Sequence, residues 1–205
     1  MRTAAHVHPV RIVRRRHVAP ARSRAHQPTL RAATSADAHA IHALIAAHVC
    51  EGHLLPRTLE DIEATVTRFV VACETTGGRR AKADSERIVA CADLAPLSPV
   101  VAEVRSLVVD ASARSNGLGH RLVQELARRA VRDGFDSLCA FTHAAGYFVR
   151  MGFSIVPHTW VPEKIETDCR TCPQFRRCGQ HAVTMPLTQP EHSALPLVPL
   201  ASLHG

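Results

Sequence analysis

An arginine and two glycines in the spacing R-x-x-G-x-G, at Arg114, Gly117 and Gly119, are the residues most suggestive of chemistry. They stand between an apolar run containing Val104, Leu107, Val108 and Val109 and an amphipathic run that starts at Leu118. Where a helix begins, free backbone N–H groups and the positive end of the helix dipole bind anions. Glycines have no β-carbon, so a pyrophosphate can approach that backbone closely, and an arginine adds charge for a phosphate. Arg114, Ser115, Asn116, Gly117, Leu118 and Gly119 are therefore a candidate anion-binding loop. The loop has neither the G-K-[ST] of a triphosphate site nor the G-x-G-x-x-G of a dinucleotide site. On the preceding run, Glu103 and Arg105 are two residues apart and share a strand face, which alternation extends to Leu107. A carboxylate there is a candidate base, and an arginine there can grip a carboxylate through two parallel N–H···O bonds.

The elements that must position these residues follow from periodicity. The run 103–109 is rich in β-branched and bulky apolar residues, as a central strand prefers. Beyond the loop, Leu118, Leu122 and Leu126 recur four apart, with Val123 and Ala130 beside them, giving a helix with one apolar face. Earlier, Leu30 to Ala33 predicts a short first strand. Thr34 or Ser35 then caps a helix that carries Asp37 in its first turn and Ile41, Leu44, Ile45 and Val49 on its buried face. Thr58 and Asp61 signal a second helix start. The runs 69–73 and 88–92 predict a hairpin with a polar connection across 75–87. After Gly134, residues 137–142 predict a strand and 144–151 a short helix, followed by 152–156. Residues 157–179 read as loop, and 181–185 as a last strand.

The chain has 205 residues, which suits one domain plus extensions. Hydrophobic residues make up 46% and charged residues 21%, the balance of a globular protein rather than a disordered or membrane-spanning one. The formal charge of +7 is concentrated at the start: residues 1–36 hold no Asp or Glu but several arginines. The remainder is close to neutral. Residues 1–27 are thus expected to be a disordered basic tail, 28–187 the folded domain and 188–205 a second disordered tail. Without aromatic side chains to stack on bases, the basic tail gives little support to a nucleic-acid partner. Seven cysteines in no even framework, with no secretory signal, point to reduced thiols and a cytoplasmic location.

Strand, R-x-x-G-x-G and helix in this order resemble the pyrophosphate-gripping motif of the GNAT (Gcn5-related) N-acetyltransferases. Four further segments narrow the resemblance: Leu54-Leu55-Pro56-Arg57-Thr58; the strand 103–109; Tyr147-Phe148-Val149-Arg150-Met151-Gly152-Phe153; and Pro162-Glu163-Lys164-Ile165 followed by Cys169-Arg170-Thr171-Cys172-Pro173. Together they are similar to the short, single-domain N-acetylglutamate synthases, over roughly residues 28 to 187. The resemblance implies an α/β (α+β) GNAT fold, with a mixed, mostly antiparallel sheet splayed open at its centre and helices on both faces. It implies acetyl-CoA as co-substrate and acetyl transfer to the α-amino group of L-glutamate, the first step of arginine biosynthesis. Its small-molecule partners would be those two compounds, with no membrane partner; a homodimer is left open. Acetylation of another small amine or a protein N-terminus, and a non-catalytic CoA-binding regulatory module, are the alternatives.

The same resemblance distributes roles. Backbone N–H groups near Val108 and Val109, at an interrupted strand pairing, would polarise the thioester carbonyl. An α-amino group is largely protonated at neutral pH, so a base is needed, and Glu103 is the candidate, directly or through water. The equal alternative is an ordinary acid paired with Arg105. Arg105, with Leu107 beside it, Arg57 on the loop over the acceptor pocket and Lys164 in the late loop are the candidates to receive the substrate carboxylates. The superfamily's usual tyrosine general acid falls at Phe148; Tyr147, one residue earlier, is expected to point elsewhere. Cys169, Cys172 and Cys178 with His181 resemble a zinc-ligand set by type but not by spacing, and a thiol-rich loop is the simpler expectation. His143 and His158 flank the pocket and read as structural.

Overall fold

The computed structural model describes residues 27–52, 54–76 and 85–187. Both expected tails lie outside these residues, apart from Gln27. Seven strands form one sheet in the order β1-β2-β3-β4-β5-β7-β6. They are β1 (Thr29–Ala32), β2 (Phe69–Thr76), β3 (Ser85–Pro96), β4 (Val101–Val109), β5 (Ser137–Thr142), β6 (Ser154–Val156) and β7 (His181–Pro186). All pairs are antiparallel except β4 with β5. The sheet is the mixed, mostly antiparallel one expected. The last strand inserts between β5 and β6, an order that local periodicity does not encode.

Among the described residues, five α-helices accompany the sheet: α1 (Ala38–His48), α2 (Leu59–Thr65), α3 (Leu118–Arg132), α4 (Ala145–Val149) and α5 (Pro162–Thr167). Thr34 and Asp37 do close a capping box, with the Thr34 N–H donating to Asp37 Oδ2 at 2.7 Å, ahead of a short 3-10 turn that leads into α1. Thr58 Oγ1 accepts from the Asp61 N–H at 3.1 Å and caps α2. α5 corrects the loop reading of 157–179. It is short and opened by Pro162, with no apolar period to reveal it.

Strand alternation sorts the core onto two faces. Val70 and Ala72 of β2 pack with Leu118, Leu122 and Leu126 of α3, whereas Phe69, Val71 and Cys73 pack with Ile41 and Ile45 of α1. On β4 the alternation breaks. Ala102 and Val104 face the α3 layer, but Val108 faces the α1 layer, while Leu107 and Val109 pack on the α3 side. The cause is a bulge: opposite Cys91 to Asp93 of β3, β4 advances from Val108 to Arg105, and Ser106 is in the left-handed region at φ 49°. One extra residue flips every later side chain to the other face. Leu107 therefore leaves the face of Glu103 and Arg105, which corrects the sequence expectation.

β4 and β5 pair only over Val101–Glu103 with Ser137–Cys139. Beyond Glu103 the two strands diverge. The sheet is thus split at its centre, between the bulge on one side and Ala140 onward on the other. No described helix is long and apolar enough to cross a membrane.

Candidate active site

The split opens into one continuous cleft of about 1480 Å³, reaching from the loop 114–119 across β4 to α5. That exceeds the usual volume of small-ligand pockets, so there is room for a long ligand and a second, small one. Every residue proposed from the sequence for the anion loop, the base and the acceptor pocket lines it except Asn116, including Glu103, Arg105, Val108, Arg114, Gly117 and Lys164.

At the anion end, Ser115 and Gly117 both take left-handed backbone conformations, at φ 68° and 69°. Two such residues turn the chain sharply enough for Gly117 to serve as the N-cap of α3. The first-turn N–H groups of a 15-residue helix then face the cleft end. Arg114 is anchored by donating from Nε to the Val109 carbonyl at 3.0 Å, and its Nη2 holds both carboxylate oxygens of Glu51 at 2.8 Å. Gly119 is tightly covered. A β-carbon there would stand 2.5 Å from Tyr147 Oη. Tyr147 therefore points at the anion loop, not elsewhere as the sequence reading expected, and burial holds its phenol above the usual range, with Arg150 opposing. Phe148, one residue on, is buried edge-to-face against Phe153 (ring centroids 5.2 Å, 82°).

The other end of the cleft is an ion cluster. Glu103 is 3% exposed. Its Oε1 and Oε2 each accept from Lys164 Nζ at 2.8 Å, and Oε2 also accepts from Arg105 Nε at 2.5 Å. Asp168, at the end of α5, accepts from Lys164 at 2.8 Å and from Arg105 Nη2. Burial works against the Arg105 charge, but Glu103, Asp168 and Asp93 outweigh it and raise the guanidinium above its ordinary value. Lys164 Nζ also lies 5.3 Å from the centre of the Phe141 ring. Both oxygens of Glu103 are thus engaged by cations, which leaves neither to meet an amine directly.

Arg57 reaches the same region across the bulge. It contacts Asp93 Oδ2 at 3.4 Å, Ser106 Oγ at 3.5 Å and Thr65 Oγ1 at 3.4 Å. Asp93 is fully buried and is held more tightly by Arg68, at 3.0 and 2.7 Å. Asp93, Arg68 and Asp168 were missed by the sequence reading. An acid interrupting the apolar run 88–95 was the one available signal for Asp93. Asp168 lies one helical turn after Lys164, an i,i+4 pair that only the helix makes visible.

The remaining candidates separate. Cys169, Cys172 and Cys178 line the cleft, whereas His181 belongs to β7 and pairs with Thr142. Among the described residues no three His, Cys, Asp or Glu side chains are placed to hold a metal ion, so the zinc-like spacing does not assemble a ligand set. Cys91 and Cys139 are buried in strands, which pushes the Cys91 thiol up to about 12 and Cys139 higher still. His158 packs on Phe141 at 5.4 Å, and its buried Nε2 has no hydrogen-bond partner.

Known proteins share this fold. The acetyltransferase (GNAT) family pattern matches residues 48–153. An uncharacterized N-acetyltransferase of Chlorobaculum tepidum is 30% identical over 158 residues, 77% of this chain and 96% of that protein. Among solved structures, the N-acetylglutamate synthase of Neisseria gonorrhoeae, complexed with coenzyme A and N-acetyl-glutamate, superposes with a TM-score of 0.65 at 24% identity. That match covers 79% of this chain but only 35% of the synthase. A Mycobacterium tuberculosis protein in complex with CoA and NLQ gives 0.63 at 20% identity, covering 78% of this chain and 100% of that one.

Proposed function

Because the chain belongs to the GNAT family of acetyltransferases, we propose that it moves acetyl from acetyl-CoA to the α-amino group of L-glutamate. The observation that carries this reading is the cation pair Arg105 and Lys164 at the cleft floor, beside the split strand. Arg57, Arg105 and Lys164 line that end of the cleft with Glu103 and Asp168, and Arg57 also meets Asp93, which Arg68 holds, so these seven side chains carry one more cation than anions. A net-negative acceptor suits such a site; a polyamine does not. The N-acetyl-glutamate bound by the Neisseria synthase supports the same acceptor class.

In this reading residues 28–187 are the acetyltransferase domain. The loop 114–119 holds the pyrophosphate of acetyl-CoA, and the thioester lies in the split between β4 and β5. Its carbonyl faces N–H groups near Val108 and Val109, which stabilise the oxyanion as charge develops. Arg105, Lys164 and Arg57 hold the acceptor carboxylates, and Leu107 contributes apolar wall on the α3 side. The amine loses a proton, its nitrogen bonds to the carbonyl carbon, and the C–S bond then breaks to release CoA. Glu103 takes the amine proton through a water, because Lys164 and Arg105 already occupy its oxygens. Phe148 has no hydroxyl to give the thiolate, and Tyr147 lies at the anion end, so water protonates the sulfur. A thiolate is a good enough leaving group for this to suffice.

The test is an acceptor screen: free amino acids, polyamines and a peptide with a free N-terminus, each with acetyl-CoA and read by thiol release. L-glutamate should give the highest kcat/KM. Preference for a cationic amine or the peptide would refute the acidic acceptor. Tight acetyl-CoA binding with no turnover on any acceptor would favour a regulatory module.

A further inference from the structure

Two carboxylates compete for the same two cations in the cleft, and they are built differently. Glu103 is on a central strand with a side chain 4% exposed, and it is locked between Lys164 and Arg105. Asp168 contacts the same Lys164 Nζ and the same guanidinium, but its side chain is 37% exposed. It terminates the six-residue α5 and starts a one-turn 3-10 helix at Cys169–Thr171. A buried strand acid cannot leave without stranding two charges. A half-exposed acid at the end of a short helix can turn out to water at small cost.

We propose that Asp168 is a specificity-determining place-holder: its carboxylate occupies the acceptor-carboxylate position on Arg105 and Lys164 and is displaced when the substrate binds. Resting on the acidic-acceptor reading above, this adds how Glu103 and Asp168 balance Arg105 and Lys164 and what an acceptor must supply to enter. The Nε and Nη2 groups of Arg105 are divided between Glu103 and Asp168. Releasing Asp168 frees Nη2 and one side of Lys164 Nζ together, two donors for one incoming carboxylate. An acceptor without a free carboxylate cannot replace the lost contacts, so Asp168 stays and the site rejects it. The selection works by exchange of like for like.

The sign of the test is opposite to that of an ordinary binding residue. In Asp168→Asn, and independently in the smaller Asp168→Ser, a competing anion is gone. KM for L-glutamate should fall roughly two- to fivefold, the scale of one partly exposed ion pair. The dissociation constant of glutarate, a dicarboxylate with no amine to acetylate, should fall with it. KM for acetyl-CoA serves as the control for a general change of field, and it should stay put. Unchanged or weaker glutarate binding in both folded variants overturns the place-holder, because Asp168 then merely positions Lys164 and Arg105. If the wild-type protein fails to acetylate glutamate yet the variants bind glutarate more tightly, the place-holder stands and the glutamate assignment falls. If glutamate is acetylated but its KM rises in both variants, the reverse holds.

Discussion

Gly119→Ala is the most informative single perturbation of the donor site, because the structure states what the added methyl would meet. Its β-carbon would lie 2.5 Å from Tyr147 Oη, while the next atoms, Tyr147 Cζ at 3.5 Å and Val109 Cγ2 at 3.6 Å, are at ordinary contact. Only one hydroxyl oxygen is in the way. Tyr147 is partly buried and its ring stands edge-on to Phe148 (5.6 Å, 87°), so swinging clear of the methyl disturbs that contact. Overpacking of this kind costs about 1–3 kcal/mol. Against it stands about 0.5–1 kcal/mol gained by replacing a helical glycine with alanine. Gly119→Ala should therefore destabilise the protein by up to about 2 kcal/mol and weaken acetyl-CoA binding by distorting the first turn of α3. Tyr147→Phe removes the obstructing oxygen. In that background the alanine should be neutral or stabilising, leaving a coupling of about 1–3 kcal/mol between the two sites. Urea unfolding of the four proteins gives the cycle, and titration calorimetry with acetyl-CoA gives the binding arm. Additivity within about 0.5 kcal/mol would refute the packing argument and, with it, the placement of Tyr147 over the anion loop.

Three further outcomes are expected. Arg105→Lys keeps a charge but loses the planar fork shared by Glu103 and Asp168, so kcat/KM for glutamate should drop while the acetyl-CoA KM holds; Arg105→Ala should cost roughly 2–5 kcal/mol in the same ratio. Acceptor kinetics near wild type in both would remove Arg105 from the site. Arg68→Ala leaves Asp93, fully buried, with only the longer contact from Arg57, and chemical denaturation should register a loss of about 3–5 kcal/mol. Arg31 binds both oxygens of Asp37, at 2.7 and 2.9 Å, and with Thr34 holds the carboxyl down at about 2. A depressed folded-state pKa stabilises above the ordinary carboxylate range and is lost as pH falls through it toward 2, so Asp37→Asn should flatten the stability-versus-pH curve in that acid window by about 1–2 kcal/mol. An unchanged acid limb would mean that the pair contributes nothing.

The turn and helix start at 114–119 were legible in the sequence because their information is local. Gly117 and Gly119 sit at a helix start, and R-x-x-G-x-G between a β-branched run and a leucine face dictates its own turn. The helix α3 likewise follows from the four-residue recurrence of Leu118, Leu122 and Leu126, which all end up buried. The sequence also brought Glu103 and Arg105 to one face, since two residues on one strand need no tertiary help. What it could not determine is everything set by the split sheet. The bulge at Ser106 turns Leu107 away from Arg105, and no residue pattern announces a positive φ at a serine. Lys164 and Asp168 reach Glu103 and Arg105 from more than 60 positions away, so only the folded chain joins these four into one cluster. Tyr147 reads as misplaced by one residue along α4, yet the packing of Phe148 into the core leaves it facing Gly119. Local spacing specifies which backbone can bind an anion, whereas charge pairing and side-chain facing depend on which strands diverge, and that is decided by the packing of the whole sheet.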